Sequence, residues 1–509
     1  MHQTRDGFLQ TLHAEWTKLR TVPRWMTAMA ATALLPVLVA VLAGISSVRH
    51  DDPPVPIGPG GEPVSDSFYF VHRSLAGDGS ITVAVSGLED KIPEGPGDLR
   101  SGIVPWAKAG LIIKDGTRQG SSYAAIMVTS ANGVRMQADY TEDSPGLPGP
   151  VSTAAPRWLR LERTGHTVAG YDSADGVQWT LVGAVRLDAL GPTAQGGLFV
   201  ASPPSVDGTG GTRSSVSTAA FGVPRTLGDW TGADGAASGG ASADWTGEQI
   251  GPESPTFAGY PQNTSGSFTR SAAGLTVTGA GDLAPAVRET LPTGGDVGEI
   301  LTGTFAALIA AIVVGTLFVT AEYRSGLIRL TLSASPGRVR VLIAKAIVIA
   351  TATFVAGLAG TAVAAPLGEH LARANGVYLF PASAATELRV QLGTAALLAA
   401  ASILALAVGT ILRHGAGAVT VVTLAMVLPR MLIAVPFLPA GIANWLTRLT
   451  PTAAFAVQQT LVPYRQVASI YTPYEGYYPL APWAGLAVLV AYAAVTLAIA
   501  AFLLHRRDV

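Results

Sequence analysis

The residues best suited to chemistry in this chain are scattered acids and one compact run of mixed charge. Cysteine is absent, which excludes disulfides, thiolate metal sites and cysteine nucleophiles. The eight histidines show no H-x-x-H spacing, so no metal site is predicted. A G-x-x-x-x-G-K-[ST] phosphate loop is missing as well, so the chain is not expected to bind ATP itself. Five carboxylates, Asp115, Asp139, Glu162, Asp172 and Asp175, fall in one β-patterned stretch. Sugar hydrolysis would need two of them about 5–10 Å apart across a cleft. Most adjoin turns, and Asp-Gly is a common hairpin device, so they read as turn and surface groups. Trp106, Trp158 and Trp179 can stack on a ligand, although core packing is their ordinary use. Charge concentrates instead over Glu322, Tyr323, Arg324, Ser325, Gly326 and Arg329, followed by Arg338 and Arg340. Arg430 stands beside Pro429 inside an apolar window. A charge at membrane depth is functional by default, and the alternative is that its head group snorkels to the interface.

The elements that must position these groups follow from composition. The 509 residues are 49% hydrophobic and 13% charged, with a mean hydropathy of +0.38. Soluble chains carry about 25% charged residues, so much of this one is expected in lipid, and its length calls for at least two folding units. A net charge of −1 gives no reason to expect a nucleic-acid partner. A helix needs about 20 apolar residues to span the bilayer. Six windows qualify: Trp25–Ile45, Gly298–Thr320, Val341–Pro366, Val390–Leu412, Ala416–Pro439 and Pro482–Leu504. The first has a rival reading as a cleaved signal peptide, opposed by the long preceding segment with its Glu15. Alanine and glycine within the windows favour close helix packing.

Basic residues in short loops orient the helices. Arg5, Lys18, Arg20 and Arg24 precede the first window, and Arg324, Arg329, Arg338 and Arg340 separate the second from the third. Arg413 and His414 lie between the fourth and fifth, and Arg506 and Arg507 follow the sixth. Alternating helices place all four clusters on one side. Both termini are then cytoplasmic, and the insertion after the first window is outside. The expected division is 1–48 for an amphipathic N-terminus and the first helix, 49–290 for the insertion, and 291–509 for five further helices with a cytoplasmic loop at 321–340.

The insertion alternates in short apolar segments: Ser80–Gly87, Ala109–Ile113, Tyr123–Thr129, Val134–Tyr140, Trp158–Thr164, Thr167–Ser173, Trp179–Val185 and Gly196–Ala201. Asp115-Gly116, Asn132-Gly133 and Asp175-Gly176 punctuate them as turns. A β-sandwich is predicted, with Gly228–Gly266 as a Gly/Ser-rich continuation and Gly274–Thr278 as one more strand. Over 64–222 the phrases WAKAGLIIKDG (Trp106–Gly116), PRWLRLERTGHTVAGYDSADGVQW (Pro156–Trp179) and GGLFVAS (Gly196–Ser202) resemble the concanavalin-like lectin/glucanase jelly rolls. That resemblance implies an all-β jelly-roll sandwich, often a carbohydrate binder. Ser173–Trp179 is similar to the sialidase Asp-box, one residue short of its spacing, and such boxes are structural turns.

Glu322–Leu332 (EYRSGLIRLTL), then Pro336, Arg338 and Ala344-Lys345, resemble the segment that actinobacterial ABC-2 type transporter permeases carry at this place. Glu15, Trp16, Lys18 and Arg20 resemble that family's amphipathic N-terminal helix. The tail Arg506–Val509 resembles its usual ending, and 441–480 its hairpin before the last helix. The resemblance implies a membrane six-helix all-α bundle in a bacterial plasma membrane, interrupted by the insertion. It further implies a coupling helix at Glu322–Arg340 seated on a separate ABC ATPase, with ATP and magnesium on that partner and a second permease copy alongside. Rivals from other classes are a membrane-anchored carbohydrate receptor and an anchored glycoside hydrolase, for either of which one helix would suffice.

Overall fold

The computed structural model describes residues 2–46, 54–95, 98–206, 212–232, 245–252, 266–291, 295–324, 337–433 and 438–506. The chain divides into two compact units: 1–52, 292–462 and 471–509 form one, and 53–291 with 463–470 form the other.

The first unit is helical. Its helices are α1 (His2–Thr21), α2 (Pro23–Ser46), α3 (Thr304–Arg324), α4 (Arg338–Ala374), α5 (Ala384–Leu412), α6 (Gly415–Ile433), α7 (Ala440–Leu449) and α8 (Pro482–Arg506). Six spans are long and apolar enough to cross a membrane, close to the six expected windows. The chain breaks between α1 and α2 because Pro23 disfavours helix at Val22 yet suits the first position of a new helix. Ser383 starts α5 by accepting the Thr386 amide, and Arg413 ends it in the left-handed region at φ 55°. At 37 residues, α4 runs about 55 Å, starting three residues before the predicted window and ending eight residues after it. Its extra turns carry polar groups, which hydropathy alone discards.

The most buried helix is α5, whose Leu397, Leu398, Ala401 and Ala405 pack against Leu308 and Ile312 of α3 and Leu489 of α8. Small residues permit this closeness. A Cβ on Gly315 would stand 2.4 Å from the Ser402 carbonyl oxygen, so α3 and α5 meet backbone to backbone. Gly315→Val is expected to cost about 1–3 kcal/mol through overpacking. A lowered unfolding temperature of the detergent-solubilised chain checks this; an unchanged one would show that the two backbones can part. On α2, Leu34, Leu38 and Leu42 share one face and are exposed, as suits a helix against lipid. Before α8, a 3₁₀ segment at Pro451–Gln458 is buried along its whole length among α5, α6 and α8.

The second unit is β-rich. In order its strands are β1 (Val64–Asp66), β2 (Phe68–Gly95), β3 (Asp98–Gly102), β4 (Lys108–Lys114), β5 (Tyr123–Thr129), β6 (Gly133–Ala138), β7 (Glu142–Pro145), β8 (Arg157–Thr164), β9 (Thr167–Ser173), β10 (Thr180–Arg186) and β11 (Thr193–Ala201). The later ones are β12 (Ser205–Val206), β13 (Thr212–Arg213), β14 (Val216–Phe221), β15 (Arg225–Thr231), β16 (Thr246–Ile250), β17 (Ser267–Ser271), β18 (Gly274–Gly279) and β19 (Leu283–Pro285). The path β10-β9-β8-β2-β11-β4-β5-β6-β7 is one continuous antiparallel sheet. Its ends nearly close, since a Cβ on Gly183 of β10 would meet Met136 of β6 at 3.1 Å.

This differs from two separate layers. The cause is β2, whose first half pairs with β11 and whose second half pairs with β8. Gly77 at φ 65° makes the sequence look like a turn, while the strand continues through it. The predicted strands otherwise agree within a few residues. Part of the expected Gly/Ser-rich continuation is also strand, because β15 and β16 pair with β2. Leu111, Ile113, Ile126, Val128, Leu159 and Leu161 fill the main core. Ile112, Tyr123, Ala125 and Met127 alternate onto a second one, so β4 and β5 are buried on both faces.

Candidate functional site: a ring of four charges

Glu15 and Lys18 are three residues apart, so α1 presents both on one face. Glu322 lies in the last turn of α3, and Lys345 two turns into α4. These are the two helices that flank the 325–336 connection. Lys345 Nζ donates to Glu15 Oε2 at 2.8 Å and to Glu322 Oε1 at 2.7 Å. Lys18 Nζ donates to Glu15 Oε1 at 2.9 Å and to Glu322 Oε1 at 3.2 Å. Acid and base therefore alternate around a closed ring of zero net charge. The Lys345 and Glu15 side chains are each 2% exposed, that of Glu322 is 13% and that of Lys18 is 41% exposed, so water reaches the ring mainly from the Lys18 edge.

Beneath the ring lies a core of Leu19, Trp25, Phe318, Leu342, Ile349 and Leu504. The Lys345 ammonium stands 4.9 Å from the Phe318 ring centre, and Trp25 meets Phe318 edge-on at 5.6 Å. Isolated charges would be costly there, and pairing is what makes them tolerable. Burial alone would lower the Lys18 ammonium, but hydrogen bonds and charge from Glu15 and Glu322 prevail and hold it above its usual value. A raised base adds stability in full below its unfolded value, and that stability is lost as pH climbs through the folded one. Hydrogen exchange in α1, after correction for the intrinsic base-catalysed rate of the amides, is thus expected to stay constant up to the ordinary lysine range and to quicken above it. A rise setting in near neutrality would contradict this.

The ring gives Glu322 intramolecular partners in Lys18 and Lys345. Tyr323 lies under the Arg413 guanidinium at 5.3 Å. Arg324 closes α3, while Ser325, Gly326 and Arg329 lie outside the described residues. Trp16 packs partly against the core under the ring, and Arg20 is exposed. Arg338 donates to the Leu504 carbonyl at 3.2 Å. Groups from basic clusters far apart in sequence therefore meet at one end of the bundle. Sequence reading missed Lys345 as a site residue. The available signal was a lysine inside an apolar window, which is rarely left unpaired.

Arg430 is held in place by the segment that precedes α8. Its Nη1 donates to the Pro473 carbonyl at 3.1 Å and the Tyr478 hydroxyl at 2.5 Å, with the stacked Phe305 and Phe455 rings about 6 Å away. In the β unit each weighed carboxylate has a structural task. Asp115 accepts the Gly191 amide, Asp139 the Tyr123 amide and Asp172 the Leu147 amide, while Glu162 pairs with Arg160. Asp175 accepts the Val177 and Gln178 amides, which hold its carboxyl below the usual range. Trp158 packs on Gly176, and Trp179 lies 4.0 Å from the Arg160 guanidinium.

Among the described residues, six membrane-length helices, a β-rich insertion and a buried charge ring on the helices that flank residues 325–336 define a polytopic membrane protein. Residues 114–509 match the family model described as ABC-2 family transporter protein. That is well over half of the chain, which belongs to this family and is a non-catalytic transmembrane component of a transport system. No curated protein matches it. Among solved structures, a functionally unknown protein from Saccharomyces cerevisiae is 14% identical over 36% of this chain and 85% of its own, with a TM-score of 0.23. A xylan β-1,4-xylosidase from Bacillus halodurans is 14% identical over 29% and 27%, with a TM-score of 0.19. Scytalido-glutamic peptidase is 10% identical over 42% and 98%, with a TM-score of 0.26. At these scores none assigns a fold or an activity to this chain.

Proposed function

We propose that this chain is the permease subunit of an ATP-driven exporter in a bacterial plasma membrane. A separate ABC ATPase carries ATP and magnesium, and a second permease copy completes the pathway. Both termini and the 325–336 connection face the cytoplasm. The β unit faces outward, where a jelly-roll-like domain can bind glycan or an envelope protein.

The observation that carries this reading is the ring, taken with membership of the family. Work done on a cytoplasmic connection reaches the bundle only if the helices on either side respond together. Lys345 ties α4 to α3 through Glu322, and Glu15 ties both to α1. A load on 325–336 would thus be shared by three helices rather than absorbed by one. Basic residues at the same end of the bundle agree with a cytoplasmic location.

The test is affinity purification from the native host in mild detergent, with mass spectrometry of stoichiometric partners. Recovery of a P-loop ATPase, reduced about tenfold or more by Arg329→Glu, is expected for a charge-steered contact. Failure to recover any ATPase, where a known permease retains its own, would reject the exporter reading.

A further inference from the structure

A cavity of 490 Å³ opens in the β unit between β2, β15 and the β17–β18 hairpin, within the size range of small-molecule sites. Arg73 of β2, Arg270 of β17 and Trp245 lie in its wall, with Thr226, Ser271 and Leu275. Arg73 is 8% exposed. Its Nη2 donates to the Trp230 carbonyl at 2.9 Å, and its guanidinium carbon stands 5.7 Å from the Trp245 ring centre. Among the described residues its buried Nε has no hydrogen-bond partner. A buried cationic donor without an acceptor is costly, and it lines a space large enough to admit one. Among the described residues, those lining the cavity include no acid.

We infer that this cavity binds a carboxylate-bearing sugar ring, of the uronic acid class. Each wall selects for part of that ligand. The planar guanidinium fork of Arg73, fixed on one edge by Trp230, offers its remaining N–H edge-on to a carboxylate. Arg270 adds a second positive charge at the exposed rim. Trp245 and Leu275 supply apolar faces for the carbon skeleton. The Thr226 and Ser271 hydroxyls can donate to or accept from ring hydroxyls. A bare inorganic anion would leave the apolar walls unused, and a neutral sugar would leave Arg73 unpaired. This deepens the reading of the β unit as an outward ligand-binding domain. It is independent of transport, because binding and ATPase recovery are separate measurements.

The experiment is isothermal titration of the full chain in detergent with D-glucuronate, D-glucose and acetate. Saturable binding of glucuronate is expected, with glucose and acetate weaker by about tenfold or more. Arg270→Gln and Trp245→Ala should each weaken glucuronate by about fivefold or more, the first without shifting the unfolding temperature. Arg270 is exposed, so its variant avoids the folding risk of replacing Arg73, while Trp245 packs partly on the core and its variant is read together with its unfolding temperature. Absence of saturable glucuronate binding would overturn the proposal. So would acetate binding as well as glucuronate, which marks an anion site only, or both variants binding like the parent.

Discussion

Replacing Lys345 by methionine is expected to cost about 3–5 kcal/mol, because it removes one partner from a buried ion cluster and strands the other charges. Glu15 and Glu322 would be left facing one another with only Lys18 between them, in a largely buried site. The first visible consequence should be release of α1, read as faster tryptic cleavage after Lys18 and Arg20. Unchanged cleavage would mean that the apolar contacts of Leu19 and Trp16 alone hold α1. In the assembled transporter we expect ATP hydrolysis to continue while export stops, since the connection would move without moving both helices.

A ring and an isolated salt bridge respond differently to charge reversal. Exchanging Glu15→Lys with Lys345→Glu would rescue a simple pair. Here it places lysine 15 beside Lys18 and glutamate 345 beside Glu322, so two like-charge contacts appear where none existed. The double exchange is therefore expected to be no better than Lys345→Met in the cleavage assay. Only reversal at all four positions restores alternation. Recovery by the double exchange would show that Lys18 and Glu322 contribute little, and that the Glu15–Lys345 contact acts alone.

The legibility of these features followed the range of the interactions. Apolar windows announce helices because hydrophobic length is a local property, and short apolar runs bounded by turn residues announced β4 and β5, as alternation announced β9, for the same reason. The first half of β2 was not legible, because Gly77 and Gly79 carry a turn composition in the middle of a 28-residue strand. What continues that strand is pairing with β8, whose residues lie about eighty positions away. The ring was half legible. Glu15 and Glu322 stood out as acids near basic clusters, but nothing in their spacing reveals that Lys345, 330 positions beyond Glu15, binds both. The Arg73 cavity was not legible at all, since Arg73 reads as one polar residue in an apolar strand.

In the β unit the largest effect is expected from Asp66→Asn. Asp66 is 1% exposed, and its Oδ2 accepts from Lys114 Nζ at 2.7 Å, the Tyr140 hydroxyl at 2.6 Å and the Gly120 amide at 2.8 Å. Removing that charge leaves the fully buried Lys114 ammonium without its counter-ion, at about 3–5 kcal/mol, a large fraction of a domain's stability. Burial already holds Lys114 below its usual value, with Asp66 opposing the shift, so the amide should depress it further. A depressed base binds its proton more readily when unfolded, so stability rises with pH between the folded and unfolded values. That window widens downward in the variant. Asp66→Asn should therefore gain more stability than the parent as pH is raised, read by protease resistance of the β unit. The comparison must stay below the ordinary tyrosine range, because Tyr140 and Tyr123 are held protonated by burial and would reverse the trend above it. Adding Lys114→Met removes the stranded charge and should return most of the lost stability. If the single variant is as resistant as the parent at every pH, the pair contributes nothing to the fold and water must reach Lys114.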